Sequence, residues 1–244
     1  MRITTVIKTH LTGFRSIGVA FTIFTLANIT IYLLISLHSQ LLDFLYLSTD
    51  HPWGILTSAF AHIDLAHLVN NLEGFTFAVL LFLPVVSVYQ VRIRRRWSRV
   101  FLWLVFLSGI CANAIEYPLY LFSSREPSLG ASGIVYGALG VLLAASLLSL
   151  PAHIHALAKG RRARRRIKWR PFRYDRYSRA SFSALMCFSI ILSFLYLIIT
   201  DTAGFLSAGP GVDVLAHGLG FLLGFLPAMV LLRPTSRRFL KSRK

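Results

Sequence analysis

Residues 128–140, "SLGASGIVYGALG", begin an apolar stretch long enough to cross a membrane, and they set a serine among glycines at its start. Close helix packing is one explanation, because small residues let two helices approach each other. Chemistry is the other. The first turn of a helix leaves backbone N–H groups without partners, and a serine beside them is a candidate nucleophile. The remaining sequence must decide between the two.

Composition and charge indicate a membrane protein. The chain has 244 residues, of which 55% are apolar, and a formal net charge of +17. The charge is confined to blocks between long apolar runs, and about 20 apolar residues suffice for a helix to cross a bilayer. The basic residues flank these runs and no nucleic-acid motif accompanies them, so we do not expect nucleic-acid binding. Cys111 and Cys187 lie inside apolar runs, which argues against a disulfide framework or a metal site.

The apolar runs predict an all-α fold, a polytopic bundle of six transmembrane helices. No soluble domain, internal repeat or low-complexity linker interrupts it, so residues 1–244 are expected to form a single membrane domain with tails at 1–15 and 233–244. The predicted spans are roughly 16–38, 67–91, 100–122, 132–152, 180–200 and 214–232.

The distribution of basic residues predicts the orientation. All but one of the 26 Lys and Arg residues lie in 1–15, 92–99, 159–179 and 233–244. With six spans these segments share one side, and short loops rich in Lys and Arg stay in the cytoplasm. We therefore expect cytoplasmic termini, acidic loops facing outward, and insertion in the plasma membrane of a prokaryote.

The basic block at 159–179, "KGRRARRRIKWRPFRYDRYSR", has two interpretations. The simpler one, which we favour, is a strong topology determinant. The alternative is that its charges and interleaved aromatic residues bind anionic lipid head groups.

Polar residues cluster at the predicted outer ends of spans two, four and six. Polar groups in a membrane are costly and normally face a protein interior or a watery cavity. Three sets at one depth therefore indicate one shared cavity. The residues are His62, His67, Asn70 and Asn71 near span two, Ser132 at span four, and His217 at span six.

These residue types suit acyl-transfer chemistry. A serine hydroxyl needs a base to take its proton, and histidine does this near neutral pH. The resulting oxyanion needs fixed donors, which a helix N-terminus provides through its N–H groups and dipole. His67 and Asn71 would add side-chain donors from one helical face. Asp213, four residues before His217, is expected to be a cap or loop residue rather than a triad acid.

Over almost all of its length the chain resembles the rhomboid intramembrane serine proteases. The resemblance rests on motifs that occur in the family's order on spans two, four and six. They are His62, His67 and Asn71; Gly130-Ala131-Ser132-Gly133 followed by Tyr136; and His217, Gly220 and Gly224.

The resemblance implies a Ser132–His217 catalytic dyad that cleaves transmembrane segments of membrane proteins near their outer ends, without metal or cofactor. It implies that Asn71, His67 and the backbone N–H of Ser132 hold the oxyanion, and that Tyr136 stacks on His217. Gly130 and Gly133 flank the serine in the motif. Asn70 would project about 100° away from Asn71 on an ideal helix, and His62 is expected to be structural.

The first outer loop departs from the family pattern. The family often has a Trp-Arg pair there, whereas residues 39–66 contain Trp53 but no Arg or Lys. The anchoring of this loop is therefore not predicted by the resemblance.

We also expect residues 201–213, "DTAGFLSAGPGVD", to form a movable cover, with Phe205 and Leu206 filling the cavity.

Two alternatives remain open. One is a catalytically silent relative that binds membrane clients, although such proteins usually lack the serine or the histidine. The other is a transporter or proton path that uses the buried His and Glu residues. It would need polar groups toward the inner side, where spans two, four and six appear almost wholly apolar in sequence. Glu73 and Glu116 are expected to have structural roles.

Overall fold

The computed structural model describes residues 13–122, 127–164, 176–206 and 213–233, and in these ranges it has nine α-helices and no strand beyond an isolated bridge. The helices are α1 (Arg15–Leu37), α2 (Gln40–Leu45), α3 (Gly54–Thr57), α4 (Leu65–Ser87), α5 (Val91–Phe122), α6 (Ser132–Arg164), α7 (Arg176–Thr200), α8 (Thr202–Phe205) and α9 (Val214–Leu231). A short 3₁₀ helix covers Ser58–Phe60. The predicted all-α class is confirmed.

In the described ranges, six helices are long and apolar enough to cross a membrane: α1, α4, α5, α6, α7 and α9. The predicted number of spans is therefore confirmed. Two helices extend past the predicted spans, because α5 begins at Val91 rather than near 100 and α6 continues to Arg164 rather than ending near 152. Arg and Lys are good helix formers, so these helices run on through basic sequence that hydropathy excludes.

Helix α6 occupies the centre of the bundle. Its apolar window is 78% buried, compared with 22% for α1. It packs against α4, α5, α7 and α9. The helix that begins with Ser132 is thus surrounded by protein, whereas the peripheral helix α1 leaves most of its surface exposed.

Glycines bring α6 and α9 into backbone contact. A Cβ added at Gly220 would clash with the carbonyl of Gly133, and one at Gly224 would clash with the carbonyl of Gly137. Close packing is thus a real role of the small residues in the opening motif. It also fixes how far apart the outer ends of α6 and α9 can lie.

The first loop, residues 39–66, which is predicted to face outward, is anchored without a Trp-Arg pair. Leu47 and Ser128 form an isolated antiparallel bridge, with N···O distances of 2.8 and 3.1 Å. Asn113 on α5 donates to the carbonyl of Ile55 and to Ser58 Oγ, at 3.1 and 3.0 Å. The loop therefore holds the segment that leads into Ser132 and is itself held by α5.

Two polar side chains are buried at the end of the bundle that is predicted to be cytoplasmic, and both lie outside the apolar stretches of spans two, four and six. His153, just beyond the predicted end of span four, is buried with Nε2 at 3.2 Å from the carbonyl oxygen of Val85. Ser183 donates to the carbonyl of Pro84 at 2.7 Å. These contacts join helices through backbone carbonyls, which is a packing role and gives the transporter alternative no support.

Candidate active site

Ser132 is the first residue of α6 and is half-buried. The turn before it contains Gly130 at φ 116°, a left-handed conformation that favours glycine. The N–H of Gly130 donates to the carbonyl of Ser58 at 2.8 Å, which ties the turn to the first loop. No acceptor in the described part of the chain takes the N–H of Ser132 or Gly133. These donors are available to a developing negative charge.

His217 lies in the first turn of α9 and is buried. Its ring stacks on Tyr136, with centroids 4.3 Å apart and planes 13° apart. Tyr136 follows Ser132 by four residues and so shares its helical face. Asp213 is the N-cap of α9 and accepts from the N–H of Ala216 at 3.0 Å, as expected for a cap. The structure records no hydrogen bond between Ser132 and His217, both of which it describes.

The two ring side chains at this site are held by consecutive backbone carbonyls. His217 Nδ1 is 2.6 Å from the carbonyl oxygen of Leu206. The hydroxyl of Tyr136 donates to the carbonyl of Phe205 at 2.5 Å. Phe205 packs edge-on against Tyr136 and Phe221. Residues 207–212, the middle of the expected cover, lie outside the described ranges.

Helix α4 brings Asn71 and His67 next to the serine turn. A Cβ on Gly130 would meet the His67 ring and lie within 3.8 Å of Asn71 Nδ2. Asn71 is buried, while Asn70 is exposed, as the helical projection predicts. The Asn71 amide donates to the carbonyl of His67 at 3.1 Å and lies 3.1 Å from His62 Nε2. Both of its hydrogens are thus used within the protein.

His62 was expected to be structural, and its contact with Asn71 ties it to the site. It lies in the first outer loop, is fully buried, and has its ring 5.0 Å from that of His67. Burial, followed by the nearby His67, lowers the pKa of His62 to about 4. A neutral imidazole accepts a hydrogen bond from an amide, so His62 stays in the form that holds Asn71.

The two glutamates in the predicted spans have different environments. Glu116 is fully buried in α5, whereas Glu73 is exposed on α4. The structure gives no contact that joins either residue to Ser132 or His217.

Most of the basic block at 159–179, including its centre at 165–175, and most of both tails lie outside the described residues. The contacts of the two rings with the carbonyls of Phe205 and Leu206 were not predicted from the sequence, since backbone acceptors leave no signal in side-chain identity.

Comparison with known families gives a match to the Rhomboid domain over residues 49–234. Comparison with curated proteins and with solved structures gives no match. The matched region contains every side chain discussed at this site. Together with the six apolar helices, it makes the chain an integral, multi-pass membrane protein. Because the match covers well over half of the chain, the protein belongs to the rhomboid family.

Proposed function

We propose that the protein is an intramembrane serine endopeptidase, with Ser132 as nucleophile and His217 as general base. The observation that carries the proposal is the stack of His217 on Tyr136, one helical turn below Ser132. It holds an imidazole beside the helix that starts with the serine. Membership of the rhomboid family, whose members are generally intramembrane serine proteases, supports the same reaction.

In this mechanism His217 Nε2 takes the proton of the Ser132 hydroxyl as Oγ attacks the scissile carbonyl carbon. The tetrahedral intermediate places its negative charge near the N-terminus of α6. There the N–H groups of Ser132 and Gly133 have no other acceptor in the described structure and meet the charge together with the helix dipole. Protonated His217 then donates to the leaving amine. Water hydrolyses the ester at Ser132 by the same two proton transfers.

Asn71 and His67 are proposed as additional oxyanion donors. Their position beside Gly130 supports this role. Both hydrogens of the Asn71 amide are engaged within the protein. Asn71 therefore has to exchange one of these bonds for the oxyanion during the reaction, and we expect its contribution to appear only in the transition state.

The proposed substrates are transmembrane segments of other proteins, cut near their outer ends. The candidate residues lie at the N-terminal ends of α6 and α9, away from the basic segments. With the basic segments in the cytoplasm, the site opens to the outer side of the membrane. No residue of the chain identifies a particular client.

The test is cleavage of a transmembrane substrate by purified protein in detergent or liposomes. We expect Ser132→Ala and His217→Ala each to abolish cleavage while the thermal unfolding midpoint stays close to that of the wild type. A fluorophosphonate should label the wild type at Ser132 and should not label Ser132→Ala. Cleavage that persists in purified Ser132→Ala would contradict the assignment.

A catalytically silent, client-binding protein is the second candidate. It predicts that neither the wild type nor Ser132→Ala cuts any substrate and that the fluorophosphonate leaves Ser132 unmodified. It also predicts that the wild type and Ser132→Ala retain the same membrane proteins on affinity purification. Labelling of Ser132 in the folded wild type would argue against this candidate.

A further inference from the structure

The proposed catalytic base has no carboxylate partner in the described structure. Asp213, the acidic residue nearest to His217 in sequence, uses a side-chain oxygen to cap the N-terminus of α9. Serine proteases with a triad use a carboxylate to keep the histidine in the correct tautomer. Another acceptor is needed here if His217 is to present an unprotonated Nε2.

The carbonyl oxygen of Leu206 meets that need. A carbonyl can only accept a hydrogen bond, so His217 Nδ1 at 2.6 Å must carry the hydrogen. In a neutral imidazole with hydrogen on Nδ1, the lone pair is on Nε2. The contact therefore selects the tautomer that a general base requires, and it also fixes the rotation of the ring.

The neighbouring carbonyl holds the other ring. The hydroxyl of Tyr136 donates to the carbonyl of Phe205 while the Tyr136 ring stacks on His217. One short segment of backbone thus contacts His217 twice, directly through Leu206 and indirectly through Tyr136. Displacement of this segment would remove both contacts together.

The segment is itself held by packing and by local hydrogen bonds. Asp201 caps α8 by accepting from the N–H of Gly204 at 2.8 Å, and the N–H of Leu206 donates to the carbonyl of Thr202 at 3.0 Å. The Phe205 ring lies 5.9 Å from Phe194 on α7 and 5.3 Å from Phe221 on α9. These contacts hold the two carbonyls against α7 and α9, and α9 contains His217.

We infer that the backbone carbonyl of Leu206 positions His217, in the place that a carboxylate takes in a triad. The position of the end of α8 therefore determines whether His217 has the tautomer and ring orientation of a general base. The inference rests on the proposed protease function and adds a means of control to it. When residues 205 and 206 leave their contacts, His217 is no longer held in that tautomer and orientation, even if Ser132 and His217 stay where they are.

A backbone ester tests the acceptor without changing a side chain. Replacing Ser207 by its α-hydroxy analogue converts the Leu206 carbonyl from an amide to an ester, which is a weaker acceptor. The comparison is the same replacement at Ala203, which weakens the Thr202 carbonyl and so loosens the end of α8 without changing the acceptor of His217. Tyr136→Phe is a further variant, because it keeps the stacking ring and removes the hydrogen bond to Phe205.

We expect the ester after Leu206 to lower kcat and the rate of fluorophosphonate labelling about ten-fold with little change in KM, as for loss of one hydrogen bond to the base. The ester at Ala203 should lower both by a smaller factor, because it weakens only one of the contacts that hold residues 205 and 206 and leaves the acceptor of His217 intact. Tyr136→Phe should lie between them, because the direct contact remains. Equal losses with the two esters would show that α8 acts only through its fold and would overturn the inference.

Nitrogen-15 NMR of the histidine rings gives a readout independent of activity. The His217 signals, assigned by their loss in His217→Gln, should show hydrogen on Nδ1 in the wild type and a mixture of tautomers in the ester after Leu206. Hydrogen on Nε2 in the wild type would overturn the inference. If the wild type neither labels nor cuts, the protease proposal fails, while this spectrum still decides whether Leu206 positions His217.

Discussion

Asn71 illustrates how one side chain can have both a structural and a proposed chemical role. In the structure its amide joins His62 to the first turn of α4. The same amide lies beside the turn that leads to Ser132. A donor used in the resting state can still stabilise the transition state if the oxyanion is a better acceptor than the partner it replaces.

If the proposed mechanism holds, Asn71→Ala should lower kcat by roughly 10²-fold, the scale seen when an oxyanion donor is removed from a serine protease. Asn70→Ala is the matched control, because Asn70 is exposed on the next position of the same helix and its loss should have little effect. Initial rates on one transmembrane substrate provide the comparison. Similar losses at both positions would mean that the effect comes from α4 as a whole.

His62 should make stability depend on pH. Its pKa is lowered to about 4 in the folded protein from an ordinary value of 6.5. The unfolded chain therefore gains a proton as the pH falls through 6.5, which the folded protein resists until about pH 4. The stabilisation is complete above the unfolded pKa and is lost as the pH falls across this window.

We expect the thermal unfolding midpoint in mild detergent to fall between pH 6.5 and 4, and to fall less steeply in His62→Gln. The variant should also be less stable than the wild type at neutral pH, since it disturbs a fully buried contact. The chain has eight histidines, so the difference between the two curves is the measurement. Parallel curves would show that His62 does not retain its neutral form on folding.

The contact between α6 and α9 places two helix starts side by side. Gly133 and Gly137 on one helix face Gly220 and Gly224 on the other with backbone against backbone. In a membrane, close approach of this kind supplies packing that the hydrophobic effect cannot. The same contact limits how Ser132 and His217 can be displaced from each other.

Gly224→Ala should push the two helices apart, since the new methyl group would clash with the carbonyl of Gly137. Overpacking of this kind costs about 1–3 kcal/mol, and we expect a lower unfolding midpoint and slower labelling of Ser132. Gly218→Ala is the control, because a Cβ there meets no atom within 4 Å. If the control is as damaging as Gly224→Ala, close approach is not the reason for these glycines.

The charge distribution of the whole molecule predicts how it lies in the membrane. Basic residues occupy the start of α5, the end of α6, residues 165–175 with the start of α7, and both ends of the chain. The candidate site lies at the opposite ends of α4, α6 and α9. Orientation therefore decides which side of the membrane would receive a fragment released by the proposed cleavage.

Labelling of single cysteines should establish this orientation. In a background with Cys111 and Cys187 replaced by alanine, Asp50→Cys in intact cells should react with an impermeant maleimide. Arg165→Cys should react only after the membrane is permeabilised. Asp50 is exposed in the first outer loop, whereas nearby Leu47 is buried and would be a poor probe. The reverse pattern would move the proposed site to the cytoplasmic face.

Hydropathy and motif spacing were sufficient to predict the six apolar helices and the family, because the cost of burying polar backbone in lipid leaves few alternatives to a helix. Helical geometry was sufficient to predict that Asn70 and Asn71 would project from different faces of α4, while the choice of Asn71 for the site came from the resemblance. Neither signal predicted that α5 and α6 extend through basic sequence, since charge marks the membrane boundary and does not end a helix.

The contacts of His217 with Leu206, of Asn71 with His62, and of the first loop with the serine turn depend on the three-dimensional arrangement. Each joins segments that are separated in the chain, and several use backbone carbonyls, which every residue has and no motif records. Residue identity indicates which side chains are capable of the chemistry. Their tautomers and hydrogen-bond partners follow from which backbone groups the packed helices bring within reach.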